Sequence, residues 1–159
     1  MNQIIAKKAT AFALMFGAII GIISLVPYFI GLALFVLSFF SSVLVILYMK
    51  KDEKHLSYLT NEQGAILGGL IGFFATVGFC ATFSPMVGII HLIFKNYYSY
   101  AIPDLLHSAL WLFFVLVFMV GIIFALINSV SAMGLVWILN HIQKEPENVD
   151  ARLDIKIED

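Results

Sequence analysis

Across residues 9–49 the chain carries no charged side chain. That run of 41 residues is too long for one membrane-crossing helix and fits two, because ~30 Å of hydrocarbon at about 1.5 Å per residue takes ~20 apolar residues. Pro27-Tyr28 falls where a turn between them belongs, since proline cannot continue a helix ladder from within. The pattern predicts a first helix over about 9–26 and a second over about 29–49, joined by a very tight turn. Residues 50–59, with Lys50, Lys51, Asp52, Glu53 and Lys54, read as a solvated loop. Thr60-Asn-Glu-Gln63 then reads as a capping box: Thr60 is the N-cap, Gln63 reaches back three residues later, and Glu62 suits the positive end of the helix dipole. The third helix is expected over about 61–94, with Pro85 kinking or ending it and 86–94 finishing a tilted helix or lying along the interface. The tyrosines in 95–104 are amphipathic and belong at headgroup level. A fourth helix over about 104–141 exceeds the minimum span and should tilt or project from the bilayer.

Composition turns this pattern into a statement about solvent. Hydrophobic residues make up 62% of the 159 and charged residues 12%, about half of the ~25% typical of a soluble domain. The charged side chains are too few to clothe a water-facing surface, so lipid is the expected solvent. The reading is an all-α transmembrane four-helix bundle over 9–141, with a short N-terminal segment (1–8) and a polar tail (142–159). Lys7 and Lys8 precede an apolar stretch without a small-x-small cleavage site, so the first helix is expected to be retained. A net charge of −1 and the lack of a basic cluster argue against nucleic acid as a partner. A single cysteine, Cys80, leaves no disulfide framework within one chain.

The basic residues fix an expected orientation. Lys7, Lys8, Lys50, Lys51, Lys54, Lys144, Arg152 and Lys156 fall on one side of a four-span arrangement and Lys95 alone on the other. Basic residues stay cytoplasmic, so both termini are expected inside, with the chain in the inner (cell) membrane.

Small residues recur every fourth position on three helices: Ala9, Ala13, Gly17 and Gly21; Gly64, Gly68, Gly72 and Thr76; Gly121, Ala125 and Ser129. Such faces let backbones approach closely, and in lipid that packing replaces the hydrophobic drive. They are expected to pack the four helices together, with a second copy or a membrane-protein partner as the other reading. Helix 2 has no such face and carries Phe29, Phe35, Phe39 and Phe40, which suit lipid. Gly17-Ala-Ile-Ile-Gly21 echoes Gly64-Ala-Ile-Leu-Gly68, which suggests two helical hairpins in tandem. The layout resembles uncharacterised small four-helix membrane proteins of prokaryotes, with a Gly-Ala first helix, a short lysine-rich loop and a third helix opening Glu62-Gln-Gly-Ala-Ile-Leu-Gly68. The resemblance covers roughly 9–80 and implies a fold and a location but no activity.

No Asp, Glu, Lys or Arg lies inside a predicted span, which argues against proton pumping or charged-substrate transport. Asn128 is the costliest intramembrane polar group to leave unpaired. With Ser129, Ser131, Ser38, Ser41 and Ser42 it is expected to act as interhelical glue, the sharper alternative being the lining of a polar path. Thr82 and Ser84 precede Pro85. His91, Asp104 and His107 fall near the outer surface; they read as interfacial polar residues, Asp104 as a helix cap, with a metal site as the lesser reading. No cofactor is expected. The tail alternates apolar and polar residues at 149–157, a strand period, and reads either as disordered or as a strand added to a cytoplasmic partner. The expected function is a non-enzymatic structural or interaction component of the membrane; the alternative is a small oligomeric channel or transporter for an uncharged solute.

Overall fold

The computed structural model describes residues 3–26, 28–52, 59–93 and 110–143. It is all-helical, with five helices among the described residues: α1 (Gln3–Ile23), α2 (Phe29–Phe39), α3 (Ser41–Asp52), α4 (Asn61–Ile93) and α5 (Leu110–Gln143). Stretches within α1, α4 and α5 are each long and apolar enough to cross a membrane, and α2 with α3 would add a fourth crossing as a bent pair. The expected start of helix 4 and the tail over 149–159 lie outside the described residues.

Two helix bounds differ from the sequence reading. Helix α1 begins at Gln3 rather than near residue 9; the apolar run measures what lipid accepts, whereas Lys7 and Lys8 are good helix formers that prolong the coil. The second helix is not continuous over 29–49. It breaks at Phe40, and its halves are bent by 62°. Further along, α4 runs through Pro85 to Ile93 without ending.

Local chemistry sets the turns. The backbone leaves α1 by tightening from the Ser24 N–H to Ile20 O bond (2.9 Å) to the Leu25 N–H to Ile22 O (3.1 Å) and Val26 N–H to Ile23 O (3.2 Å) bonds. Tyr28 then takes φ 78° and is almost fully exposed. The capping box opens α4 as expected: Gln63 N–H donates to Thr60 Oγ1 (3.2 Å) and Thr60 N–H to Gln63 Oε1 (3.3 Å).

Helix α4 is the centre, packed mainly on α1 and α5. Against α5 it runs antiparallel: Gly64 meets Val136, Gly68 meets Ala132, Gly72 meets Phe124, and Asn140 Nδ2 donates to Leu59 O at 2.9 Å. Against α1 it runs parallel: Gly17 lies on the Ala75 backbone and Gly21 on Phe79 and Thr82. Tyr48 near the end of α3 meets Phe12 midway along α1, ring centres 5.1 Å apart. The α2–α3 pair therefore returns alongside α1. The start of α1, the end of α3 and the start of α4 carry Lys7, Lys8, Lys50, Lys51 and Glu62.

Candidate functional site

The small-residue positions come first, because they decide what else fits. Ala13 is fully buried, and a side chain at Gly17 or Gly21 would strike the backbone or Thr82 hydroxyl of α4. Along the opposite face of α4, an added Cβ would meet Val136 Cγ2 at 2.7 Å from Gly64, the Asn128 carbonyl from Gly68, and Phe124 O at 2.7 Å from Gly72. Gly121 backs onto the Phe73 ring, whose Cδ2 lies 3.0 Å from such a Cβ. Ala125 and Ser129 lie opposite Gly69, at 3.7 Å and 3.9 Å on the same measure. All nine positions thus face other helices of this chain. The sequence reading gave α4 one small face; it has two, the second built from Ala75, Gly78 and Thr82 against α1, with Gly78 pressed on the Leu14 backbone. Spacings of three and four at 75, 78 and 82 were the available signal.

The α4 glycines make room for Asn128, which is fully buried. A Cβ on Gly72 would lie 2.8 Å from Asn128 Cβ and 3.0 Å from its Nδ2, so only a glycine there admits the asparagine in this position. The side chain points at the break between α2 and α3. Its Nδ2 donates to Ser38 O (2.8 Å), Leu37 O (3.0 Å) and, within α5, Phe124 O (3.0 Å). Its Oδ1 accepts from Ser41 Oγ (2.8 Å) and Ser42 N–H (2.9 Å). The Ser42 hydroxyl donates to the Asn128 backbone carbonyl at 3.1 Å.

This arrangement explains the bend. In an unbroken helix the Ser42 N–H would donate to Ser38 O, and Leu37 O would accept from Ser41 N–H. The carboxamide stands between the members of the first pair, accepting from one and donating to the other, and it also occupies Leu37 O. Ladder bonds on either side survive, Phe40 N–H to Val36 O and Leu44 N–H to Phe40 O, each 2.9 Å. A side chain inserted into the ladder is one of the few causes of a sharp helix kink. Of the backbone groups freed at the break, the asparagine satisfies Leu37 O, Ser38 O and the Ser42 N–H. Both lone pairs of Oδ1 are used, and two N–H hydrogens serve three acceptors. The carboxamide has no spare hydrogen-bonding capacity in this state.

Other hydroxyls behave differently. Ser24, Ser38, Thr76 and Ser131 donate to the carbonyl four residues back in their own helices, at 2.7–3.1 Å. Besides Ser41 and Ser42, Thr82 is the described hydroxyl that reaches another helix, donating to Ala18 O at 3.2 Å as well as to its own turn. Ser84 is buried beside Pro85. Cys80 is half-buried with a free thiol.

His91 lies in the last turn of α4, and Asp104 and His107 lie outside the described residues. Among the described residues no group of three His, Cys, Asp or Glu side chains could hold a metal ion. Sequence reasoning grouped Asn128 with Ser38, Ser41, Ser42, Ser129 and Ser131 as interhelical glue. The structure joins it to the Ser41 and Ser42 side chains, while the Ser38 and Ser131 hydroxyls bond their own helices. The missed element is the break at Phe40, a residue with no sequence signature of a helix end. Compared with known proteins, the chain matches no family model, no curated protein and no solved structure.

Proposed function

We propose that this chain is a four-span membrane protein, termini on the cytoplasmic side, that works as a non-enzymatic packing or interaction component. The observation that carries the reading is the saturated Asn128: this carboxamide at mid-bundle is fully buried and engaged in holding three helices together. Further support comes from the outside. Helix α5 exposes Trp111, Phe114, Phe118, Leu126, Val130 and Trp137, a surface that suits lipid. Trp111 and Trp137 are separated by roughly 39 Å of helix, near the ~40–45 Å between the two headgroup regions where tryptophan collects. The bent pair fits a crossing: 62° shared between two arms leaves each about 31° off the normal, and the pair then projects ~30 Å, one hydrocarbon thickness. The described lysines gather at the bundle end that the positive-inside rule assigns to the cytoplasm.

The test has two arms. Cysteines placed at Phe29 and Lys51 in a Cys80→Ser background should react with impermeant maleimide from opposite sides of the membrane; same-side labelling would make α2–α3 a re-entrant loop. Purification in mild detergent after cross-linking should then yield one defined complex, with a second copy or a membrane protein. A monodisperse monomer lacking any cross-linked species would refute the interaction role.

A second reading is favoured by the break itself. Interrupted helices often mark substrate sites near the midplane of transporters, which supports an oligomeric channel or carrier for an uncharged solute. Liposome flux of glycerol or urea abolished by Asn128→Leu would establish it over the first.

A further inference from the structure

We infer that α2–α3 is a hinge with two settled states, bent and straight, that Asn128 holds it bent, and that bilayer thickness biases the choice. The inference rests on the membrane reading above for its trigger, and on the hydrogen bonds alone for the hinge.

The bonds define both states. In the bent state the carboxamide takes the place of the Ser42 N–H to Ser38 O rung and occupies Leu37 O. Withdrawn, it leaves donor and acceptor facing each other four residues apart, the geometry of a continuous helix. The backbone of 37–42 contains no glycine or proline to resist closure. Phe40, the only residue between the helices, has φ −111° and ψ −12°, a modest rotation from helical values. Ser41 and Ser42 lose their partners on Asn128 but can donate to Leu37 O and Ser38 O four residues back. Ser24, Ser38, Thr76 and Ser131 already do this in this chain. The carboxamide keeps its bond to Phe124 O, which lies in its own helix. The two states divide the partners. The bent state serves the asparagine and leaves the Ser41 and Val43 N–H groups out of the ladder. The straight state pairs them with Leu37 O and Phe39 O and frees the far side of Asn128. Each state thus gains bonds the other lacks, as a bistable element requires.

Packing allows the motion. Helix α2 buries only Ala33, Leu37 and Ser38 and exposes Phe29, Leu32, Phe35 and Phe39 to the outside. Helix α3 is held more firmly, with Val45, Ile46 and Met49 buried. The arm that swings is α2, through lipid rather than through the core.

Thickness enters through length. The end-to-end reach from residue 29 to residue 51 is ~28 Å in the bent state and ~33 Å when straight, from about 1.5 Å per residue. A bilayer whose hydrocarbon is thicker by that difference favours the longer state, and the mismatch involved is comparable in energy with an interhelical hydrogen bond in lipid. A ligand or field shifts a two-state element only by its differential interaction with the two states, and thickness supplies such a difference here.

The experiment measures the distance directly. Spin labels at Phe29→Cys and Lys51→Cys, in the Cys80→Ser background, are read by pulsed dipolar spectroscopy in dimyristoyl- and dierucoyl-phosphatidylcholine vesicles and in detergent. The expected result is a single short distance in the thin bilayer, a population about 5 Å longer in the thick one, and the longer distance in both for Asn128→Leu. A Ser41→Ala/Ser42→Ala variant keeps the asparagine and weakens its hold, so it should show an intermediate population and remain folded where Asn128→Leu does not. One unchanged distance in a helical, monodisperse Asn128→Leu protein, or in the serine variant, overturns the hinge. A hinge that opens in Asn128→Leu but ignores bilayer thickness overturns the trigger alone. Protein that washes off the vesicles with alkaline carbonate refutes the membrane reading instead, and the detergent measurement still decides the hinge.

Discussion

At the scale of single residues, Asn128 concentrates more interactions than any other described side chain. Replacing it with leucine removes four bonds to α2 and α3, those with Leu37, Ser38, Ser41 and the Ser42 N–H. Interhelical bonds in lipid average ~0.6 kcal/mol, and closure of the ladder offsets part of the loss. Asn128→Leu should therefore lower stability by about 1–3 kcal/mol, read as an earlier midpoint on titration with dodecyl sulfate. Tyr28 makes the opposite case. A non-glycine residue at φ 78° carries local strain of about 1 kcal/mol, and its side chain is almost fully exposed. Tyr28→Gly should raise the same midpoint by roughly that amount; an unchanged or lower midpoint would show that the ring's contact with the headgroup layer outweighs the backbone strain. The sequence displayed Asn128 as an expense to be explained. It did not display the explanation, because hydrogen bonds that join positions 86 to 91 residues apart follow from packing and leave no local trace.

At the scale of elements, the glycines sort themselves by what surrounds them. Gly68 and Gly17 lie where an added methyl group would collide with the neighbouring backbone. Alanine at either position must push whole helices apart, so Gly68→Ala should cost about 1–3 kcal/mol. Gly134 has nothing within 4 Å of its would-be Cβ. There alanine only restores helix propensity, and Gly134→Ala should stabilise by about 0.5–1 kcal/mol. Both are read by the same denaturation, and equal effects would contradict the packing described. At the start of α4, Thr60→Ala removes one half of the capping box and should cost about 1 kcal/mol, visible as faster hydrogen exchange at Gln63 and Gly64. The box was legible because its four residues are contiguous. The faces on α1 and α4 were legible because helical period repeats them. The second face of α4 was not, since Ala75, Gly78 and Thr82 mix spacings of three and four and only a crossing partner turns them into one surface. The break at Phe40 was hidden for a different reason: an apolar run has the composition of a straight helix, and the cause of the bend lies in α5.

At the scale of the whole molecule, the spans differ in length. The apolar stretch of α1 covers 19 residues, ~28 Å, whereas those of α4 and α5 cover 30 and 32, ~45 Å and ~48 Å. On the membrane reading proposed above, with ~30 Å of hydrocarbon to cross, α1 and the bent pair would match the bilayer, and the antiparallel α4–α5 pair would tilt or project beyond it. A projecting pair offers protease-accessible helix ends outside the lipid. Limited proteolysis of reconstituted vesicles should therefore cut near the ends of α4 or α5 before it cuts within α1–α3.

The distance in sequence between the break and its asparagine also imposes an order in time. Ser41 and Ser42 are synthesised 86–87 residues before Asn128, so α2 and α3 leave the ribosome before α5 is complete. On the hinge and membrane readings proposed above, nothing then occupies the Ser38–Ser42 rung until α5 arrives, and the segment would insert as one straight helix. On those readings the bend is a late event of biogenesis, made when α5 docks onto α4, and a nascent chain halted before α5 would carry a different second helix from the finished protein.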